Sequence, residues 1–127
     1  MVFYLGNSRL ECLFFSGLGN RQYVPLGCFR DRQENKALPI EVKNFRGKKM
    51  NWKDMSQTVE KCANATTERD PKLKVFALQF YGVCYSGYNG SQTFFKYGKV
   101  PYSDEFDTFC WSGVGRARFN FVYKFEE

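Results

Sequence analysis

The clearest hydrophobic pattern lies near the end of the chain, in residues 118–126. Four aromatic residues alternate there with other side chains: Phe119, Phe121, Tyr123 and Phe125. A period of two predicts a β-strand with one face in the core. Apolar runs at residues 23–30 and 74–81 predict two further strands, and Pro25 indicates an edge strand or a strand start. Residues 83–86 either continue the second run or begin a neighbouring strand.

A helical spacing runs through residues 52–69. Its apolar stripe consists of Met55, Val59, Cys62, Ala63 and Thr66. Asn51 is the expected N-cap, Asp54 its partner in a variant of the capping box, and Pro71 the terminator. Residues 37–49 and 87–103 contain proline and glycine and predict loops.

The order of these elements predicts an α+β domain over residues 23–127. We expect one helix packed on a small, mainly antiparallel β-sheet and stapled by disulfides. Residues 1–22 are a separate N-terminal extension, either a degraded signal segment or an extra strand, because Arg9 and Glu11 break its apolar runs. A signal segment is therefore degraded, absent or missing from an incomplete chain. No stretch approaches the ~20 apolar residues of a transmembrane helix.

Histidine is absent from the 127 residues, and this narrows the possible chemistry. The chain alone cannot build a Ser-His-Asp triad, a Cys-His dyad or a histidine-ligated zinc or haem site. Its adjacent acidic residues, such as Glu126 and Glu127, are not a positioned acid and base. We therefore expect a binding module with no catalytic residues, no metal site and no cofactor.

The five cysteines divide into four in the domain and Cys12 in the extension. Four cysteines allow three connectivities. The favoured one joins Cys62, on the helix stripe, to Cys84, at the end of a central strand, and pairs Cys28 with Cys110. Buried free thiols in a cytosolic protein are the alternative.

Two N-glycosylation sequons, at Asn64 and Asn89, favour the extracellular interpretation. Asn64 lies inside the predicted helix and is the poorer acceptor. Asn89 precedes Gly90 in a predicted turn and is the better one.

Several motifs occur along the chain in one order: LGCFRD at residues 26–31, AL at 37–38, TVEKC at 58–62 and FALQFYGVCYSG at 76–87. In this order they resemble the WSC domain. NFRG at 44–47 and NFVY at 120–123 are similar to segments of a reduced, four-cysteine form in secreted invertebrate proteins. The resemblance covers residues 23–125. It implies extracellular placement, a helix-against-sheet fold related to the PAN/apple architecture, and binding of carbohydrate or protein.

The net charge of +6 is concentrated in one window. Residues 30–53 contain eight basic and three acidic side chains, which supply five of the six charges. Four basic residues in the predicted loop are candidates for binding sulfate or carboxylate groups: Lys43, Arg46, Lys48 and Lys49. A solvated loop without a ligand is the alternative.

A second candidate site combines aromatic and polar residues between Tyr85 and Trp111. Tyr85, Tyr88 and Trp111 offer flat faces for sugar rings, and Asp104, Glu105 or Asp107 would accept hydrogen bonds from hydroxyls. Alternatively, these rings cover the core beneath a long loop. The aromatic alternation beside Arg116 and Arg118 is more typical of a sheet core than of a nucleic-acid stacking platform, so we expect no nucleic-acid partner.

Together these patterns predict a secreted, non-catalytic module that binds carbohydrate, including anionic or sulfated glycans. The alternative is an extracellular-matrix or protein–protein interaction module without glycan binding. That alternative predicts a large exposed apolar patch or self-association.

Overall fold

A computed structural model describes residues 21–102 and 109–126. Its helices are α1 (Ser56–Arg69) and α2 (Gly90–Thr93). Its strands are β1 (Tyr23–Arg30), β2 (Ile40–Asn44), β3 (Val75–Gln79), β4 (Val83–Ser86), β5 (Lys99–Val100), β6 (Cys110–Trp111), β7 (Val114–Gly115) and β8 (Phe119–Phe125). Six strands form an antiparallel sheet in the order β2-β4-β3-β8-β1-β5, and β6 pairs with β7 as a hairpin. The predicted α+β class is confirmed.

Strand β8 lies near the middle of the sheet, and both of its faces are buried. Phe121, Tyr123 and Phe125 pack in the main core with residues of α1. Val122 packs on the other face with a second group that includes Leu38. The alternation predicted one buried face, and this was wrong because the segment before β2 covers the second one.

Strand β2 occupies part of the stretch predicted as a loop. Ile40 and Val42 are half-buried and alternate with exposed Glu41 and Lys43. The strand is at the sheet edge and pairs with β4. The loop prediction was wrong because Pro39 only precedes the strand, where proline is tolerated. In the same way α2 and β5 lie within the second predicted loop, residues 87–103.

Helix α1 begins at Ser56, four residues later than predicted. The side chains of Asn51 and Asp54 accept hydrogen bonds from the backbone N–H groups of Lys53 and Ser56. These local bonds stabilise turns and compete with helix formation, so Asn51 is not the N-cap. The predicted stripe is buried along its whole length, and the helix ends at Arg69, two residues before Pro71.

Both predicted disulfides are present. Cys28 bridges Cys110 with a Cα–Cα distance of 6.0 Å, and Cys62 bridges Cys84 at 5.4 Å. The first joins β1 to the β6–β7 hairpin, and the second joins α1 to β4. Ordered contacts begin before the predicted domain boundary, since the Arg21 guanidinium donates to the Leu73 carbonyl at 3.2 Å.

Candidate functional site

Four aromatic side chains from three separate segments form one continuous group beside the main core. We call this group the aromatic cluster: Trp52, Phe80, Tyr81 and Trp111. The Trp52 and Trp111 rings are nearly parallel, with centroids 6.2 Å apart, and Tyr81 lies 5.3 Å from Trp52. Trp52 is 47% exposed and Phe80 40% exposed, whereas Tyr81 and Trp111 pack against the core. The cluster therefore presents ring surface to solvent from a rigid base.

Phe80 and Tyr81 occupy the turn between β3 and β4 in an unusual backbone conformation. Their φ angles are 52° and 72°, in the left-handed region where bulky residues are uncommon. Backbone bonds to the neighbouring hairpin hold the turn: Phe80 N–H donates to the Arg116 carbonyl and Tyr81 N–H to the Gly115 carbonyl. Strain held in place by surrounding structure is typical of ligand sites.

The β6–β7 hairpin positions Trp111. Cys110, the preceding residue, is fixed to β1 by its disulfide. Gly115 lies so close to the chain that an added Cβ would be 1.9 Å from the carbonyl oxygen of Phe119. The Tyr123 hydroxyl donates to the Gly113 carbonyl at 2.7 Å, in the hairpin turn. Three independent attachments therefore hold Trp111 in place.

Among the predicted basic residues, Arg46 contacts the aromatic cluster directly. Its guanidinium carbon lies 3.6 Å from the centroid of the Phe80 ring, a close cation–π contact. Lys43 lies on β2, with its ammonium 5.7 Å from the Phe45 ring. Lys48 and Lys49 are exposed in the loop that follows Arg46. Positive charge thus borders the cluster on the side of Phe80.

The structure separates two of the predicted aromatic residues from Trp111. Tyr85 packs on the sheet face opposite α1, beneath the Lys36 ammonium at 4.5 Å, and burial raises the pKa of its phenol. Tyr88 donates a hydrogen bond of 2.8 Å to Asp70 at the end of α1, and that bond raises the pKa of Tyr88. The predicted partners Asp104, Glu105 and Asp107 lie outside the described residues, as does Cys12.

Trp52, Phe80 and Tyr81 were not among the predicted binding residues. Trp52 was assigned to the first turn of the helix, and Phe80 and Tyr81 to a buried strand. A signal was present in the sequence, because two adjacent aromatic residues stand immediately before Gly82. A glycine after an apolar run marks a turn, and aromatic residues in a turn are not needed to fill the core.

Within residues 21–102 and 109–126, no group of three or more acidic, cysteine or histidine side chains is arranged to hold a metal ion. In that same part of the chain, no helix has the length and apolar character needed to cross a membrane. No protein-family model matches the chain, and no curated protein matches it. The resemblance to the WSC domain stays a prediction.

Proposed function

We propose that this protein is an extracellular, non-catalytic module that binds carbohydrate through the aromatic cluster. One observation carries the proposal: Trp52 and Trp111 present nearly parallel rings at a partly exposed surface. The C–H groups on a sugar face are weakly positive and pack on the negative face of an aromatic ring. The exposed part of the Trp52 ring, stacked on Trp111, offers such a face to a sugar unit.

The base of the cluster is rigid, and this supports binding. Tyr81 and Trp111 pack on the core, and a disulfide anchors the strand that carries Trp111. A preformed site loses less conformational entropy when a ligand binds. The two disulfides are also typical of an oxidising compartment, in agreement with an extracellular location.

Arg46, Lys48 and Lys49 favour an anionic glycan at this site. The exposed Arg46 guanidinium lies over the Phe80 ring, and there a sulfate or carboxylate would accept paired hydrogen bonds from it. Surface charges are screened by salt, so this part of the affinity should fall as ionic strength rises.

A glycan array together with a heparin column run in a salt series tests the proposal. Trp52→Ala should weaken glycan binding by about fivefold, because a stacked ring contributes on the order of 1 kcal/mol. Phe95→Ala is the matched control, since Phe95 is 51% exposed but lies outside the cluster. Arg46→Gln should lower the salt concentration of elution, whereas Lys124→Gln, on an exposed residue of β8, should not. No array hit and no retention above physiological ionic strength would refute the proposal.

Protein–protein interaction is the second candidate function, and a different observation favours it. Phe95 and Phe109 are 51% and 41% exposed and do not belong to the aromatic cluster. Exposed aromatic side chains are enriched in interfaces. Sedimentation velocity across a concentration series checks this candidate: self-association that Phe95→Ala abolishes, with no glycan binding, would favour an interaction module.

A further inference from the structure

A groove separates the segment before β2 from the segment that contains α2, on the sheet face opposite α1. Its volume is about 400 Å³. Six of the side chains that line it are polar: Gln33, Asn35, Lys36, Asn89, Thr93 and Lys96. Its walls are tied together, because the Thr93 hydroxyl donates to the Ala37 carbonyl and the Lys96 ammonium to the Asn35 side chain at 3.2 Å.

Asn89 is at once a wall of this groove and the acceptor of a glycosylation sequon. It stands at the N-cap position of α2, yet its side chain makes no capping hydrogen bond. Asn89 and Ser91 are both exposed, so the sequon is accessible in the folded protein. Gly90 between them fits closely on the sheet, where an added Cβ would be 2.4 Å from Val75. The asparagine is therefore held at a fixed place beside the groove.

The other sequon has a different environment. Asn64 is exposed on α1, but Thr66, which completes the sequon, is fully buried. The Thr66 hydroxyl donates to the Cys62 carbonyl at 2.8 Å. Any glycan on Asn64 would project from an exposed helix position that does not line the groove. Asn64 thus serves as an internal control for Asn89.

We propose that an N-linked glycan on Asn89 seats its first N-acetylglucosamine in this groove and stabilises the fold. The inference shares with the proposed function only the passage of the chain through a secretory compartment. The covalent link to Asn89 identifies the ligand of the groove, because a sugar joined to that side chain is held beside the groove at high effective concentration.

The groove offers suitable partners for an acetylated amino sugar. Lys96 provides an ammonium donor for hydroxyl and carbonyl oxygens, and the carboxamides of Gln33 and Asn35 both donate and accept. Lys36 instead stiffens the wall of the groove, because its ammonium pairs with buried Asp31 at 3.0 Å and donates to the Gln79 side chain at 3.4 Å. Pro39, which is exposed, adds apolar surface for the acetyl methyl group.

The first experiment measures whether Asn89 carries a glycan. The full chain is secreted from insect cells, and its mass is recorded before and after peptide N-glycosidase. We expect a glycan on Asn89 that Ser91→Ala removes and Asn64→Gln leaves in place. An unmodified Asn89 in a secreted, disulfide-bonded protein would overturn the inference, whatever the protein does on a glycan array.

The second experiment tests whether the first sugar binds in the groove. The glycan is trimmed to one N-acetylglucosamine. The melting temperature of this protein is then compared with that of the Ser91→Ala variant, which carries no sugar on Asn89. We expect the single sugar to raise the melting temperature by about 3 °C, and Gln33→Ala with Lys96→Ala to abolish that increment. An increment of zero, or one that survives both groove substitutions, would overturn the inference. Glycan binding by the aromatic cluster would be unaffected either way, so the two proposals fail separately.

Discussion

Phe80 and Tyr81 keep their left-handed backbone because neighbouring residues hold it from several sides. The N–H groups of both residues are bonded to the carbonyls of residues 115–116, and Tyr81 packs on the core. A left-handed conformation costs on the order of 1 kcal/mol or more for a bulky residue, whereas asparagine adopts it readily. The Phe80 ring is 40% exposed, so its burial is incomplete and offsets only part of that cost. The proposed role in ligand binding would account for phenylalanine at this position.

Phe80→Asn should therefore separate stability from binding. We expect the free energy of unfolding to change by no more than about 1 kcal/mol, because relief of the backbone strain offsets the lost burial of the ring. Glycan affinity should fall, since Arg46 loses the ring that it contacts. Urea unfolding and the heparin-column salt series measure the two effects. Lower stability with unchanged binding would show that Phe80 has a structural role instead.

At the scale of elements, the two disulfides have different consequences for the site. The bridge from Cys28 to Cys110 closes a separation of 82 residues and anchors β6, which carries Trp111. The bridge from Cys62 to Cys84 closes 22 residues and joins α1 to β4, neither of which carries Trp111. Because each bridge reduces the entropy of the unfolded chain, the first should stabilise the fold by about 4 kcal/mol and the second by about 3 kcal/mol.

Removing each bridge in turn separates its effect on folding from its effect on the site. In the double variant of Cys28 and Cys110 to alanine, the free energy of unfolding should fall by about 4 kcal/mol and glycan binding should weaken, because β6 loses its covalent anchor. In the double variant of Cys62 and Cys84 to alanine, the free energy of unfolding should fall by about 3 kcal/mol. The molecules that remain folded should bind glycan with unchanged affinity. Denaturant titration with a binding assay under folding conditions checks both. Equal loss of binding in the two variants would contradict the assigned role of β6.

The elements also differ in how well the sequence predicts them. Strands β1 and β8 and the end of α1 were predicted to within one residue, since each carries a clear period or terminator. Strand β2 was missed because an edge strand buries one face only partly. Its short pattern, IEVKN, resembles a mixed loop until β4 pairs with it.

At the scale of the whole molecule, buried tyrosines at the main core respond to high pH. Burial raises the pKa of Tyr23 to about 12, with a smaller contribution from the charge of Glu60. Burial also raises the pKa of Tyr123, to which Tyr23 and Tyr102 contribute. In the unfolded chain both phenols titrate near about 10. The folded state thus keeps protons that the unfolded state has lost.

The free energy of unfolding should therefore decrease as pH rises from about 10 to about 12. Each phenol lowers the free energy of unfolding by at most about 1.4 kcal/mol per pH unit. The effect of Tyr23 is smaller because its ring is partly exposed. Denaturant titrations of a Cys12→Ser variant avoid thiol–disulfide exchange at these pH values. Tyr23→Phe should flatten the decrease. A slope that Tyr23→Phe leaves unchanged would contradict the assignment.

Both disulfide pairs could be predicted from the sequence because an apolar stripe and a buried run place Cys62 and Cys84 on facing surfaces. The candidate site could be predicted only in part. Arg46 and Trp111 were identified by residue type, but their relation to Trp52, Phe80 and Tyr81 was not. Those residues come from segments far apart in sequence, and no local period relates them.

The sequence by itself determined the α+β class, the long strands, the stripe of α1 and the bridges, because each follows from a period or from cysteines on that pattern. Only the tertiary structure decided which surfaces meet. It buried the polar side chains of Gln79 and Asn120 together, with a hydrogen bond of 2.9 Å between them. It also brought Trp52 beside Trp111 and left Tyr85 on the other face. The physical reason is that strand pairing and loop closure are long-range, whereas hydrophobic periodicity is local.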